Sequence, residues 1–322
     1  MDHRLGPVSQ VEDGPVSQVE DEEEEEEDPC CNISKKAKIW GILLFVLVLS
    51  AILGVVFGVL KLHQAPQLKK WQGAGTTLHF REIVLGRCYA YTQLMKPELR
   101  VKDCQKIVGA FMGAVLSKDP CGFTEEDYQP LIKLTNQTVP CDKTLFWSKS
   151  RELAHQYTEV QQEMFTLENT LLGYMVDGLK WCGDAGSSEL NYQSCPDWRG
   201  DCANNTMSVF WDTVSKRFAE NACGVVQVLL NGSFSNAFNK NSTFGRVEIY
   251  NLHPDKVSTL QAWVMDNIED VHSDSCSASS INDLKSILSN RNIKFTCQSN
   301  YRPIKFLQCV KNPEHSSCNS LI

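Results

Sequence analysis

Cysteine, asparagine and histidine are the residue types whose placement first suggests chemistry in this chain. Twelve of its 14 cysteines fall after residue 60, at Cys88, Cys104, Cys121, Cys141, Cys182, Cys195, Cys202, Cys223, Cys276, Cys297, Cys309 and Cys318. An even dozen with no C-x-x-C pair reads as six disulfides, not as zinc ligands, and needs an oxidising compartment. Four N-x-[ST] sequons, at Asn136, Asn204, Asn231 and Asn241, lie in the same stretch and call for the same compartment. The seven histidines are scattered without ligand spacing, so no metal is expected. The dinucleotide-binding G-x-G-x-x-G, the P-loop, G-x-S-x-G and H-E-x-x-H are all missing from the sequence. Dehydrogenase, P-loop kinase, serine hydrolase and zinc protease chemistry therefore lacks support. Two placements remain. Trp211 and Ser215 stand four apart in a helical stretch and so point the same way. Glu248 alternates with Val247 and Ile249, which puts it on the polar side of a strand near a turn, and ligands of α/β sheets gather at strand ends.

The elements that would position these residues follow a membrane segment. Ile39–Leu60 is 22 consecutive uncharged, mostly apolar residues between Lys38 and Lys61. At about 1.5 Å per residue this spans the ~30 Å hydrocarbon layer. The 38-residue leader is too long for a cleaved signal peptide, so the segment reads as an uncleaved signal anchor. Lysines flank both sides in equal number, so the positive-inside rule does not orient it. The cysteines and sequons do, placing the C-terminal part outside: a single-pass type II protein. Asn32 matches the sequon pattern but would lie in the cytosol, out of reach of glycosylation. Residues 1–38 contain 12 acids and 4 bases, including the direct repeat Gly6–Asp13 and Gly14–Asp21 that runs into Glu22–Glu27. Such a block cannot bury a core and reads as a disordered spacer. The rest of the chain balances 27 acids against 27 bases, which argues against a nucleic-acid partner. Cys30 and Cys31 beside the membrane fit either S-palmitoylation or free cytosolic thiols.

The first half of the remainder reads as helical. Asp103–Ser117 has a helical apolar pattern through Ile107, Val108, Phe111 and Val115; Thr124 and Asp127 form a capping-box pattern; Ser208–Ala222 is amphipathic through Phe210, Val214 and Phe218. After Cys223 the pattern changes. Val225–Leu230 and Arg246–Tyr250 read as strands, Val257–Val264 and Ile281–Leu288 as helices, and Ile293–Cys297 as a strand. The expected fold is α/β in two lobes: a helical lobe, then a small α/β lobe with a parallel sheet, and a cleft between. Composition and pattern stop at a glycosylated, disulfide-stapled ectodomain.

Longer stretches carry more. Thr124–Leu131 (TEEDYQPL), Phe165–Tyr174 (FTLENTLLGY), Asn191–Arg199 (NYQSCPDWR), Ser208–Cys223 (SVFWDTVSKRFAENAC), Asn241–Leu252 (NSTFGRVEIYNL) and Phe306–Glu314 (FLQCVKNPE) closely resemble the ADP-ribosyl cyclase/cyclic ADP-ribose hydrolase family, from about Trp71 to the C-terminus. The resemblance implies an ecto-NAD glycohydrolase with ADP-ribosyl cyclase and cyclic ADP-ribose hydrolase activity. NAD and cyclic ADP-ribose would be substrates, with NADP a related one, and no separate cofactor or metal is implied. It places the catalytic glutamate on Glu248, the acid that governs hydrolysis against cyclisation on Glu168, and the aromatic walls on Trp147 and Trp211. Asp177 would meet the nicotinamide amide. Ser215, Thr243 and Phe244 would contact ribose and pyrophosphate.

Three positions depart from the family pattern. Lys149 replaces a phosphate-binding arginine, keeping the charge but losing the bidentate fork. Asn169 and Gly178 stand where aspartates are expected, which removes two negative charges near the acceptor side. The resemblance further implies the pairs 88–104, 121–202, 141–223, 182–195, 276–297 and 309–318, a choice that spacing alone leaves open. It implies interleaved lobes, the helical one about 67–140 and 166–222 and the α/β one about 141–165 and 223–322, within a catalytic domain of 61–322 on the outside of the plasma membrane. A homodimer is compatible with it. The competing reading is a receptor or adhesion ectodomain without catalysis.

Overall fold

The computed structural model describes residues 35–63, 71–268 and 274–321. The acidic repeat, Cys30, Cys31 and Asn32 lie outside the described residues. The chain divides into two units, the first ending at Leu68 and the second starting at Lys69.

The first unit contains helix α1 (Lys35–His63). Its Ile39–Phe57 stretch has no proline or charge and a mean hydropathy of 2.9. Nineteen residues at about 1.5 Å each cover roughly 28 Å, the thickness of a hydrocarbon layer. This one apolar helix fits a single-pass anchor.

The second unit opens with β1 (Gly73–Ala74), α2 (Phe80–Tyr89), α3 (Cys104–Val115) and α4 (Glu125–Thr135). Asp103 caps α3 by accepting the Lys106 N–H at 3.1 Å, and Thr124 and Asp127 form the capping box of α4. Then come β2 (Leu145–Ser148), α5 (Arg151–Val160), α6 (Leu171–Val176), β3 (Ser194–Cys195), paired with β1, and α7 (Thr206–Asn221). Asn205 caps α7, and its apolar stripe of Phe210, Val214 and Phe218 is buried. Trp181 sits among Phe80, Phe111 and Phe210 at centroid distances of 5.0–5.6 Å, the aromatic centre on which α2, α3 and α7 converge.

The chain continues through β4 (Gly224–Asn231), α8 (Ile249–Asn251), β5 (Val257–Met265), α9 (Ser279–Asn290), β6 (Lys294–Ser299) and α10 (Arg302–Lys311). All four strands of the order β2-β4-β5-β6 run parallel. Alternation sorts their side chains: Leu145, Leu229, Trp263 and Met265 pack with α5 and α10, whereas Phe146, Val228, Leu230, Ala262 and Val264 join the main core, to which α7 and α9 also contribute. The six disulfides are 88–104, 121–202, 141–223, 182–195, 276–297 and 309–318.

Two segments differ from their sequence pattern. Val257–Val264, read as a helix, is the inner strand β5. Its apolar residues are buried on both faces of a covered sheet, so Val257, Leu260 and Val264 lose the alternation that marks a half-exposed strand. Arg246–Tyr250, read as a strand, is instead the end of a π-helical turn, Phe244–Glu248, that runs into α8. The buried residues there are Phe244, Gly245, Glu248, Ile249 and Leu252, a helical repeat hidden from hydropathy because two of them are glycine and glutamate.

Candidate active site

Four short segments meet at a cavity of about 430 Å³. Strand β2 brings Phe146, Trp147 and Ser148 to its C-terminal end, and the next residue, Lys149, turns the chain away with a left-handed φ of 57°. The 3-10 turn Leu167–Asn169 supplies Glu168. Asn169 caps that turn by accepting from the Thr166 N–H and hydroxyl at 2.8 and 2.9 Å, which a neutral amide does as well as an aspartate. Gly173 makes the turn reachable: a Cβ there would stand 2.1 Å from the Leu167 carbonyl oxygen. One turn apart on α7, Trp211 and Ser215 face the same space. The π-helical turn contributes Phe244 and Glu248, following Thr243. Such turns widen a helix locally and recur at functional sites.

All nine residues singled out from the sequence, Trp147, Lys149, Glu168, Asp177, Trp211, Ser215, Thr243, Phe244 and Glu248, line this one cavity. Lys149 Nζ lies 4.3 Å from the ring centre of Phe234. Asp177 pairs with Arg151 Nη2 at 2.6 Å, and Gly178 follows it with a φ of 71°. Among the described residues no cluster of histidine, cysteine and acidic side chains could hold a metal.

The two glutamates are both buried, at 7% exposure for Glu248 and 8% for Glu168, yet their environments push them apart. Burial, then the charge of Glu168, raises the Glu248 carboxyl to about 8; Asp212 adds to this, while the Ser215 hydroxyl and Arg246 oppose it. Burial also acts to raise Glu168, but His155, the Trp147 indole N–H at 3.1 Å and a backbone N–H together hold it below the usual carboxylate range. One acid is thus kept protonated and its neighbour ionised, the arrangement that separates acid–base roles in many sites.

Several participants were not legible from the sequence. Arg151, Trp198 and Ser242 also line the cavity. His155 Nε2 stands 3.6 Å from Glu168 Oε2. Arg199 and Arg246 both pair with Asp212, tying the loop before α7 to the turn that carries Glu248. A weak signal existed for two of them: Arg151 and His155 are four apart, hence on one face of α5. Of the sequons, Asn136, Asn204 and Asn241 are exposed. Asn231 is 6% exposed and its amide donates to the Lys149 carbonyl at 3.0 Å and to Asn267 Oδ1 at 3.4 Å, so a glycan there must replace one of these bonds and open a buried position.

Fold and cavity define an α/β domain whose site pairs two carboxyls at the end of a parallel sheet. The chain belongs to the ADP-ribosyl cyclase family, whose model matches residues 77–318. It is 56% identical over 291 residues to ADP-ribosyl cyclase/cyclic ADP-ribose hydrolase 1 of Mus musculus, covering 90% of this chain and 94% of the relative. It superimposes on porcine CD38 complexed with a covalent intermediate, ribo-F-ribose-5′-phosphate, with a TM-score of 0.70 and 62% identity, over 72% of this chain and 100% of the other. Aplysia cyclase complexed with substrate NGD and product cGDPR gives a TM-score of 0.70 at 30% identity, over 76% and 98%.

Proposed function

We propose that the chain is an ecto-enzyme that cleaves the nicotinamide–ribose bond of NAD to nicotinamide and ADP-ribose, with ADP-ribosyl cyclase and cyclic ADP-ribose hydrolase activity at the same site. The observation that carries this reading is the convergence of Glu248 and Glu168, one neutral and one ionised, on a cavity walled by Trp147 and Trp211. In NAD the base is bound as a pyridinium. It departs with the bonding electron pair as neutral nicotinamide, so no general acid is needed. Positive charge is left on the ribose, as in glycoside hydrolysis.

Ionised Glu248 opposes that charge where water is excluded, which is where an electrostatic group is worth most. Burial and Glu168 resist its ionisation in the free protein, and the arriving pyridinium supplies the missing countercharge. Substrate binding is therefore coupled to release of the Glu248 proton. Trp147 and Trp211 stack on the flat cation, Asp177 takes the carboxamide N–H, Ser215, Thr243 and Phe244 seat ribose and pyrophosphate, and Lys149 meets phosphate charge. Glu168 orients the acceptor. Attack by water gives ADP-ribose; attack by the substrate's own adenine gives cyclic ADP-ribose, whose new bond water can break through the same charged state. NADP carries its extra phosphate away from the bond broken and fits the same chemistry.

The reading extends to residues 1–38 as a cytosolic tail, 39–60 as the anchor and 61–322 as the catalytic domain outside the plasma membrane, in a helical lobe (67–140 and 166–222) and an α/β lobe (141–165 and 223–322). Six disulfides and exposed sequons support that orientation, and a homodimer is compatible with it. Incubating the purified full-length protein with NAD and separating the products by chromatography tests the function. Nicotinamide and ADP-ribose are expected in nearly equal amounts, with cyclic ADP-ribose as a minor product. Absence of nicotinamide would leave a binding ectodomain on the same scaffold.

A further inference from the structure

Glu168 keeps its charge against the cost of burial. It is 8% exposed and lies in the field of a second buried carboxyl, Glu248. Its hydrogen bond from Trp147 Nε1 comes from a neutral donor. Among the described residues its one ion-pair partner is His155, on α5, whose Nε2 stands 3.6 Å from the same Oε2 that accepts from Trp147. That nitrogen is buried without a hydrogen-bond partner. The ring thus stands beside the carboxylate as a charge partner and is not among the residues that line the cavity.

We propose that His155 is a positioning residue for the choice of acceptor: protonated, it holds Glu168 ionised and so keeps water favoured over adenine under mildly acidic conditions. The inference rests on the NAD-cleaving reading of the site and on the role given there to Glu168. The groups that face His155 are Glu168 from the 3-10 turn, Arg151 from one turn earlier on α5 and Asp177 from the end of α6. Glu168 outweighs the burial and the Arg151 charge that oppose protonation, so His155 stays cationic above its ordinary range. Glu168 in turn faces His155, Trp147 and Glu248. With Glu248 itself protonated in the free protein, the imidazolium is the countercharge that offsets the burial of Glu168. Removing it leaves burial to raise the Glu168 carboxyl against the Trp147 and backbone N–H bonds alone. Glu168 then takes up a proton as pH falls toward the acid side, and the enzyme comes to resemble one with a neutral residue at 168.

The test is the ratio of cyclic ADP-ribose to ADP-ribose formed from NAD by the full-length protein in detergent, between pH 5 and 8, with total nicotinamide recorded alongside. The parent should hold a ratio constant within about twofold. In His155→Gln the ratio should climb at least about threefold as pH falls from 7.5 to 5.5, approaching that of Glu168→Gln, as expected when one buried carboxyl gains its proton across that window. In the Glu168→Gln background, His155→Gln should change nothing further, and His155→Lys should restore the constant profile of the parent. Parallel profiles for the parent and His155→Gln, an effect that persists without Glu168, or a ratio unmoved by Glu168→Gln would each overturn the inference while leaving nicotinamide release in place. Loss of NAD cleavage by the parent would instead overturn the proposed function. Should His155→Gln fold poorly, NMR titration of the His155 ring in folded Glu168→Gln decides: it should titrate at lower pH than in the parent, and an unchanged titration overturns the role.

Discussion

Replacing Glu248 with glutamine should stabilise the protein, by an amount that grows with pH. The carboxyl rises from 4.5 to about 8 on folding, chiefly through burial. Between those values the folded state binds a proton that the unfolded chain has released, so stability falls as pH rises through the window. At 1.36 kcal/mol per unit the full cost, reached above pH 8, is about 5 kcal/mol. Glutamine keeps the shape and cannot ionise, so it escapes that cost. Below pH 4.5 the parent carboxyl is protonated in both states and the two proteins should differ by no more than about 1 kcal/mol, the scale of one exchanged hydrogen bond. A domain of this size moves about 2–4 °C in Tm per kcal/mol. Thermal melts of the parent and Glu248→Gln at pH 5 and pH 8.5 should therefore show curves close together at the lower pH. At the higher pH the variant should melt about 10–20 °C above the parent. A Tm difference that is the same at both pH values, or a variant less stable at pH 8.5, would refute the claim that this carboxyl is forced neutral by its surroundings.

Three further outcomes follow from the same geometry. Because the proposed mechanism needs Glu248 ionised, log kcat/KM for NAD should climb with about unit slope toward a limb near 8, measured by initial rates across pH. Glu168→Gln should raise the yield of cyclic ADP-ribose relative to ADP-ribose several-fold, read by chromatography; an unchanged ratio would remove the role of that carboxylate in steering water. Lys149→Arg should lower KM for NAD by about fivefold, roughly the 1 kcal/mol gained when a planar fork replaces a point charge on phosphate, and an unchanged KM would place the phosphates elsewhere.

The parts of the fold legible in the sequence are those whose environment repeats locally. Helix α3 and helix α7 each bury one stripe, and that stripe shows as Ile107, Phe111 and Val115 or as Phe210, Val214 and Phe218. Strand β5 was illegible because it is covered on both faces, and β2 because four residues carry no period. The turn around Glu248 misled for a different reason. Its buried positions include a glycine, pressed so close to the Asn239 carbonyl that a Cβ would lie 2.2 Å away, and a carboxyl that no hydropathy pattern would bury. The resemblance supplied Glu248, Glu168 and Trp211, which sit inside long matching stretches, and Trp147, which lies between them. His155, Arg151 and the Arg199–Asp212–Arg246 cluster escaped because their partners lie 13 to 34 residues away, on other elements that only the fold brings together.

The most direct measurement is nicotinamide release from NAD by Glu248→Gln, beside the parent, with both shown to be folded by their thermal melts. The proposed mechanism predicts that turnover falls by at least ~10²-fold, the scale for losing one preorganised electrostatic group at a developing charge. Near-parent turnover by a folded Glu248→Gln would contradict it, because the positive charge left on the ribose would then be stabilised by something other than this carboxylate.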